Sequence, residues 1–179
     1  VLTGSRFIAD KIGDFEFEIS ANSFFQTHSR GAAVLYGIVA QYADLSGAET
    51  VLDLYSGTGT IPILMSGTCR EVLGIEIVES AVADAEKNCQ KNGVTNCTFI
   101  QGDIRRCLSD ITRRPDVLII DPPRSGMHKD VVKQVRDLGT ERIVYVSCNP
   151  ATLARDIALL GDSYRLIEVQ PVDMFPHTF

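Results

Sequence analysis

From Thr50 onward the chain alternates short apolar runs with helix-patterned stretches, and this alternation restricts the fold more than any other feature. The runs Thr50–Leu54, Glu71–Ile75, Cys97–Ile100, Val117–Ile120, Arg142–Val146 and Tyr164–Gln170 are rich in β-branched residues and read as strands. The intervals carry helical patterning, as in Glu79–Asn92, which closes on Gly93 in the position just past a helix cap. Short apolar strands joined through helices pair in parallel. The expected class is therefore α/β, with a doubly wound, mostly parallel sheet. Ahead of it, Phe7-Ile8-Ala9 and Phe15-Glu16-Phe17-Glu18-Ile19 flank a turn at Gly13 and read as a β-hairpin, and residues 30–43 have the spacing of a helix.

A length of 179 residues predicts one domain. We divide it into a flank of hairpin and helix over 1–49 and a core over 50–179. The chain opens on Val1 and closes on His177-Thr178-Phe179, and is expected to be part of a longer protein. No apolar run approaches the roughly 20 residues of a membrane span and no signal peptide is visible, so a cytoplasmic protein is expected. Five cysteines without a Cys-x-x-Cys pair, beside three histidines, argue against a zinc site and a disulfide framework, and no metal is expected. The net charge of −6 disfavours phosphate contacts, so a nucleic-acid substrate would need a local basic patch or another domain.

The first core strand runs into Tyr55-Ser56-Gly57-Thr58-Gly59-Thr60, a glycine turn that opens a helix and lets backbone approach a ligand closely. A dinucleotide-binding turn would carry a third glycine where this chain has Pro62, which disfavours a nicotinamide-dependent oxidoreductase. At the end of the second core strand Glu76 is placed to accept ribose hydroxyls, and at the end of the third Asp103 to accept from an adenine amino group. This succession is similar to the S-adenosylmethionine-dependent methyltransferase fold, a Rossmann-like sheet that usually has seven strands. Here the seventh is expected to be truncated.

The fourth core strand ends in Asp121-Pro122-Pro123-Arg124-Ser125-Gly126, a loop stiffened by two prolines. Amino-directed nucleic-acid methyltransferases place an aromatic after a similar Pro-Pro, and Arg124 fits that class poorly. The fifth ends in Ser147-Cys148-Asn149-Pro150, where Asn149 is a helix cap and Pro150 a first-turn proline. Cys148 thus stands between a strand's carboxyl end and a helix's amino end, where the helix dipole favours a thiolate.

Asp-Pro-Pro-Arg-Ser-Gly, then Ser-Cys-Asn-Pro-Ala-Thr-Leu-Ala-Arg-Asp, then Asp173-Met174-Phe175-Pro176-His177-Thr178, closely resemble the RNA uracil-5 methyltransferases, in their carboxyl-terminal catalytic domain. The second motif is worded more like the bacterial large-subunit ribosomal RNA branch than the transfer RNA branch. The resemblance implies methyl transfer from S-adenosylmethionine to carbon 5 of a uridine, with S-adenosylhomocysteine as product. It implies Cys148 as the nucleophile at carbon 6, Asp121 beside the reaction centre and Arg124 holding the pyrimidine or its O4. It also implies Gln26, Tyr55, Thr60 and Glu76 as cofactor contacts, beside Gly57, Gly59, Asp103 and Asp121.

In that family the general base is a glutamate a few residues beyond the His-Thr motif, so a chain ending at Phe179 is expected to stop at a trapped adduct. Relatives bind RNA largely through other domains, among them a small β-barrel and sometimes an iron–sulfur cluster. No membrane or obligate protein partner is expected. RNA 5-cytosine methylation is the alternative within the fold, although its enzymes carry Pro-Cys where this chain has Pro-Pro-Arg. A non-catalytic module binding S-adenosylmethionine or RNA is the alternative outside catalysis.

Overall fold

A computed structural model describes residues 4, 7–21 and 23–175. Strands β1 (Phe7–Ile12) and β2 (Phe15–Ser20) form the expected antiparallel hairpin, followed by helix α1 (Ser29–Ala43). The core then runs β3 (Thr50–Leu54), α2 (Thr60–Met65), β4 (Glu71–Glu76), α3 (Glu79–Lys91), β5 (Cys97–Gln101), α4 (Ile104–Cys107), β6 (Val117–Ile120), α5 (Lys129–Leu138), β7 (Arg142–Tyr145) and α6 (Pro150–Leu160).

The five core strands are parallel in the order β5-β4-β3-β6-β7. The chain winds from β3 outward through β4 to β5, then returns to the other side of β3 to lay down β6 and β7. Strand order therefore reverses beside β3, and ligands of open α/β sheets bind in the crevice outside the strand ends at such a point. Two-residue periodicity divides the interior. Val51, Val117 and Ile119 face a core with Phe17, Tyr36 and Ile63, while Leu52, Leu54, Leu118 and Ile120 face one with Val131, Val135 and Leu160.

The hairpin is fastened to the core by a ladder of side chains on α3. Asp84 Oδ2 accepts from the Ser20 N–H, Asn88 Oδ1 from Glu18 N–H and Asn92 Oδ1 from Glu16 N–H. The Nδ2 groups of Asn88 and Asn92 return bonds to the Glu18 and Glu16 carbonyls. Four helical residues rise about 6 Å and two strand residues about 6.7 Å, so every fourth side chain meets every second backbone unit. Asn88 Nδ2 also donates to the Thr58 carbonyl at 3.2 Å, tying the hairpin to the turn after β3.

One expected strand does not form. Residues 164–173 follow α6 without regular structure, and Leu166, Ile167 and Val169 are exposed. Their apolar character resembles a strand, but the segment has no ladder partner among the described residues, and strand character without a partner is not stable. Cys69 lies in a bend rather than on an element. Among the described residues no helix is long and apolar enough to cross a membrane.

Candidate active site

The carboxyl ends of β3, β4, β5, β6 and β7 bring most of the expected residues to one edge. After β3, Tyr55 adopts φ +67, a left-handed conformation that a bulky side chain rarely takes and that marks a strained turn. The Tyr55 and Ser56 N–H groups both donate to the Ile75 carbonyl, at 3.0 and 3.1 Å, which holds the turn against β4. Gly59 has φ +78, and a Cβ there would lie 2.9 Å from the Ala85 Cβ and 3.0 Å from Phe99. The glycine is required both by conformation and by the close approach of α3. Thr60 is buried at the start of α2, its hydroxyl 3.3 Å from that of Thr58.

Glu76 is fixed by the turn it faces. Its Oε2 accepts from the Gly57 N–H at 2.9 Å and its Oε1 from the Val78 N–H at 2.8 Å. Each carboxylate oxygen retains acceptor capacity for a ligand hydroxyl. Asp103 is engaged differently. It caps α4 through the Arg105 N–H and takes the Arg105 guanidinium at 2.6 and 3.0 Å, which holds its carboxyl down to about 2. Its oxygens point to its own helix and to Arg105, so its free acceptor capacity is smaller than the sequence suggests. Asp103 and Tyr55 line a cleft of about 670 Å³ whose far wall holds Met127, His128 and Arg155. Burial, with the nearby charges of Asp156 and Asp103, pushes the Tyr55 hydroxyl up to about 12.

The residue that sequence reasoning passed over is Asp53. It is 1% exposed on the central strand, and neither carboxylate oxygen has a hydrogen-bond partner among the described residues. The hydroxyl of Ser56, two residues past the strand's end, is also buried and unpartnered among the described residues. Burial pushes the Asp53 carboxyl well above the ordinary range, and the charges of Asp121 and Glu76 add to the effect. An acid inside an otherwise apolar strand was the available signal. Buried acceptors without donors are costly, and a cationic ligand bearing N–H groups would satisfy them. Tyr36, reached from α1, has its hydroxyl pushed up by burial and by the charges of Asp121 and Asp53, so α1 closes this side.

Asp121 follows β6, and burial pushes its carboxyl up to about 6. The loop after it is stitched to α6. The Arg124 carbonyl accepts from Asn149 Nδ2 at 3.2 Å and from Thr152 Oγ1 at 3.3 Å. Cys148 is exposed immediately before α6, whose cap is Asn149, with its Oδ1 accepting from the Ala151 N–H at 3.0 Å. The Arg124 and Cys148 segments therefore share a rigid frame. Gln26 is half-buried on the irregular stretch between β2 and α1 and makes no hydrogen bond among the described residues. Pro176, His177 and Thr178 of the third motif lie outside the described residues.

The profile of the tRNA (uracil-5-)-methyltransferase family matches residues 5–179. The chain is 48% identical over 183 residues to an uncharacterized RNA methyltransferase of Caldanaerobacter subterraneus, covering 100% of this chain and 40% of that protein. It is 45% identical over 186 residues to another of Chlorobaculum tepidum, covering 99% and 38%. The chain thus spans about two-fifths of the length of these relatives. Among solved structures, the tRNA (uracil-54, C5)-methyltransferase of Pyrococcus abyssi, in complex with S-adenosyl-L-homocysteine, superposes with a TM-score of 0.85. Identity there is 37%, over 98% of this chain and 43% of that one. A precorrin-6y C5,15-methyltransferase of Geobacter metallireducens, 18% identical over 86% of this chain and 79% of its own, has a TM-score of 0.71 and shares the fold.

Proposed function

Because this chain belongs to the tRNA (uracil-5-)-methyltransferase family, we propose that it carries the catalytic unit of an enzyme methylating carbon 5 of a uridine in RNA, with Cys148 as the nucleophile. We take 1–179 as one such unit, with 1–49 as its flank and 50–179 as its core. The observation that carries the reading is the exposed Cys148 at the amino end of α6, a helix whose Asn149 and Thr152 side chains donate to the Arg124 carbonyl in the loop bearing Asp121 and Arg124.

The donor that fits the edge of β3 is S-adenosylmethionine. When bound, it supplies an electrophilic methyl group on a sulfonium. Gly57, with open space on its Cβ side, would leave room for it, Glu76 would offer acceptors to its ribose, and the unpartnered oxygens of Asp53 would take its ammonium hydrogens. Asp121, at the next strand end, would offer a carboxylate to the positive sulfur.

The Cys148 thiolate then forms a bond to uracil carbon 6. The displaced ring electrons move through carbon 5 toward O4, where the Arg124 guanidinium offsets the developing charge. Carbon 5 takes the methyl group and the carbon–sulfur bond of the donor breaks. A base removes the carbon-5 proton, and the electron pair left behind expels the Cys148 thiolate. Methylation of carbon 5 needs this sequence because the unactivated carbon is a weak nucleophile.

For the substrate we favour ribosomal RNA, on the wording of Ser147–Arg155. Transfer RNA is the second reading, favoured by the Pyrococcus abyssi enzyme, whose substrate is uracil-54 of tRNA. With a net charge of −6, most affinity for RNA would come from outside this unit. The test is to incubate the full-length protein with S-adenosylmethionine and RNA containing 5-fluorouridine, whose carbon 5 has no proton to lose. A stable protein–RNA adduct at Cys148, absent in Cys148→Ala, is expected. No adduct, or one at another residue, overturns the mechanism. Mapping 5-methyluridine in transfer and ribosomal RNA from a deletion strain decides the substrate.

A further inference from the structure

We propose that Asp156 is a positioning residue that sets the Arg124 loop in register with Cys148. The inference rests on the uridine methyltransferase reading above, and it concerns a residue that touches neither the donor nor the base.

Asp156 lies on the second turn of α6 and is wholly buried. A buried carboxylate persists only when its lone pairs are taken. Here its two oxygens accept four hydrogen bonds: Oδ2 from the Tyr145 hydroxyl at 2.7 Å and the Met127 N–H at 2.8 Å, Oδ1 from Arg155 Nε at 2.8 Å and Nη2 at 2.7 Å. The same Arg155 Nη2 faces the Ser125 carbonyl at 3.0 Å and the Met127 carbonyl at 3.1 Å. With Asn149 and Thr152 on the Arg124 carbonyl, one helix face grips the backbone of the loop at residues 124, 125 and 127.

The residue left out of that set, Gly126, explains how the grip is possible. At φ +73 it turns the loop inward, and a Cβ there would sit 2.6 Å from both Arg155 Nη2 and Asp156 Oδ2. The loop has thus been pressed onto the carboxylate as closely as a glycine allows. Tyr145 extends the arrangement to β7, the strand that leads into Cys148. Asp156 therefore joins the loop after β6, the end of β7 and the helix behind the nucleophile at one point. A carboxylate fits this role because it is an acceptor on all sides. The neutral amide of the same shape presents N–H groups on one side, where donors already stand.

The experiment compares wild-type full-length protein with Asp156→Asn and Tyr145→Phe. For Asp156→Asn we expect kcat for uridine methylation to fall about 10–100-fold, the range that a misplacement near 1 Å produces. KM for RNA and Kd for S-adenosylmethionine should stay near wild type, and the Met127 amide should exchange with solvent faster. Tyr145→Phe, which removes one of the four bonds, should show the same split with a smaller loss. It carries the test if Asp156→Asn fails to fold. Unchanged kcat with unchanged Met127 exchange overturns the inference. So does a loss of kcat that runs parallel to weaker cofactor binding and a lower Tm, the pattern of a purely structural residue. If wild type transfers no methyl group to uridine, the functional reading fails, and Met127 exchange alone decides whether Asp156 holds the loop.

Discussion

The carboxylate of Glu76 accepts the Gly57 N–H at 2.9 Å, so the acid at the end of one strand fixes the glycine turn at the end of its neighbour. Glu76 shapes the turn and, in the proposed function, faces the ligand. Replacing it with alanine removes charged acceptors from the Gly57 and Val78 N–H groups as well as from a ribose. One such bond is worth about 1.5–3 kcal/mol. Calorimetry on Glu76→Ala should therefore show S-adenosylmethionine bound about 10–100-fold more weakly. Wild-type affinity would remove Glu76 from the site.

Asp121 should make cofactor binding depend on pH. Its carboxyl is raised to about 6 by burial, so the folded protein favours the neutral form. The stability this contributes is complete below the ordinary carboxylate range and is lost as pH climbs through about 6. At pH 7 Asp121→Asn should be more stable than wild type, by ~1–3 kcal/mol, with the difference vanishing toward pH 4. Binding of the sulfonium should run the other way. Affinity should rise between pH 5 and pH 7 as the carboxylate ionises, and the neutral thioether product should show a flatter profile. The Asp121 charge adds to the effect of burial on Asp53, so Asp121→Asn should also lower the Asp53 value. Urea denaturation and calorimetry at several pH values check both halves.

Cys148 is the exposed cysteine, whereas Cys69 and Cys89 are buried and Cys97 and Cys107 half-buried. Burial raises the Cys107 and Cys69 thiols, and the contact with Cys89 raises Cys97. Brief treatment of the folded protein with iodoacetamide should label Cys148 first, with the half-buried Cys97 and Cys107 slower and Cys69 and Cys89 following only in denaturant. Peptide mapping that finds another cysteine modified earlier would contradict this ordering.

Asn88 is wholly buried and bonds to the Glu18 N–H, the Glu18 carbonyl and the Thr58 carbonyl. Asn88→Ala would leave these backbone groups unpaired. It should cost about 2–3 kcal/mol in urea unfolding and should weaken cofactor binding as well, since Thr58 belongs to the glycine turn. A stability loss with no change in affinity would mean that the hairpin and the turn are not coupled.

Much of this was legible in the residues. Val117–Ile120 forms a strand as read, the other four core strands lie within a residue of their expected bounds, and Asn149 and Pro150 begin α6 as their types predict. These are local signals: apolar β-branched runs, a cap and a first-turn proline. The expected strand at Tyr164–Gln170 failed because pairing is not a local property, and nothing in its composition reports a missing neighbour. Placement at the sheet edge was legible where one residue stands at one strand end, as with Glu76 and Asp121. It was not legible where several residues act through space. Asp156 carries no local signal in the motif that holds it, because its importance lies in a backbone group 29 positions away.

The ladder between α3 and the hairpin has a consequence for how the family can vary. Asn88 and Asn92 address the peptide units of residues 18 and 16 rather than their side chains, whereas Asp84 takes both the N–H and the hydroxyl of Ser20. Any amino acid but proline supplies the N–H they require. Exposed hairpin positions are therefore free to drift without losing their place on the core, while the three helix positions are not. Divergence should be concentrated on the strand and constancy on the helix that reads it.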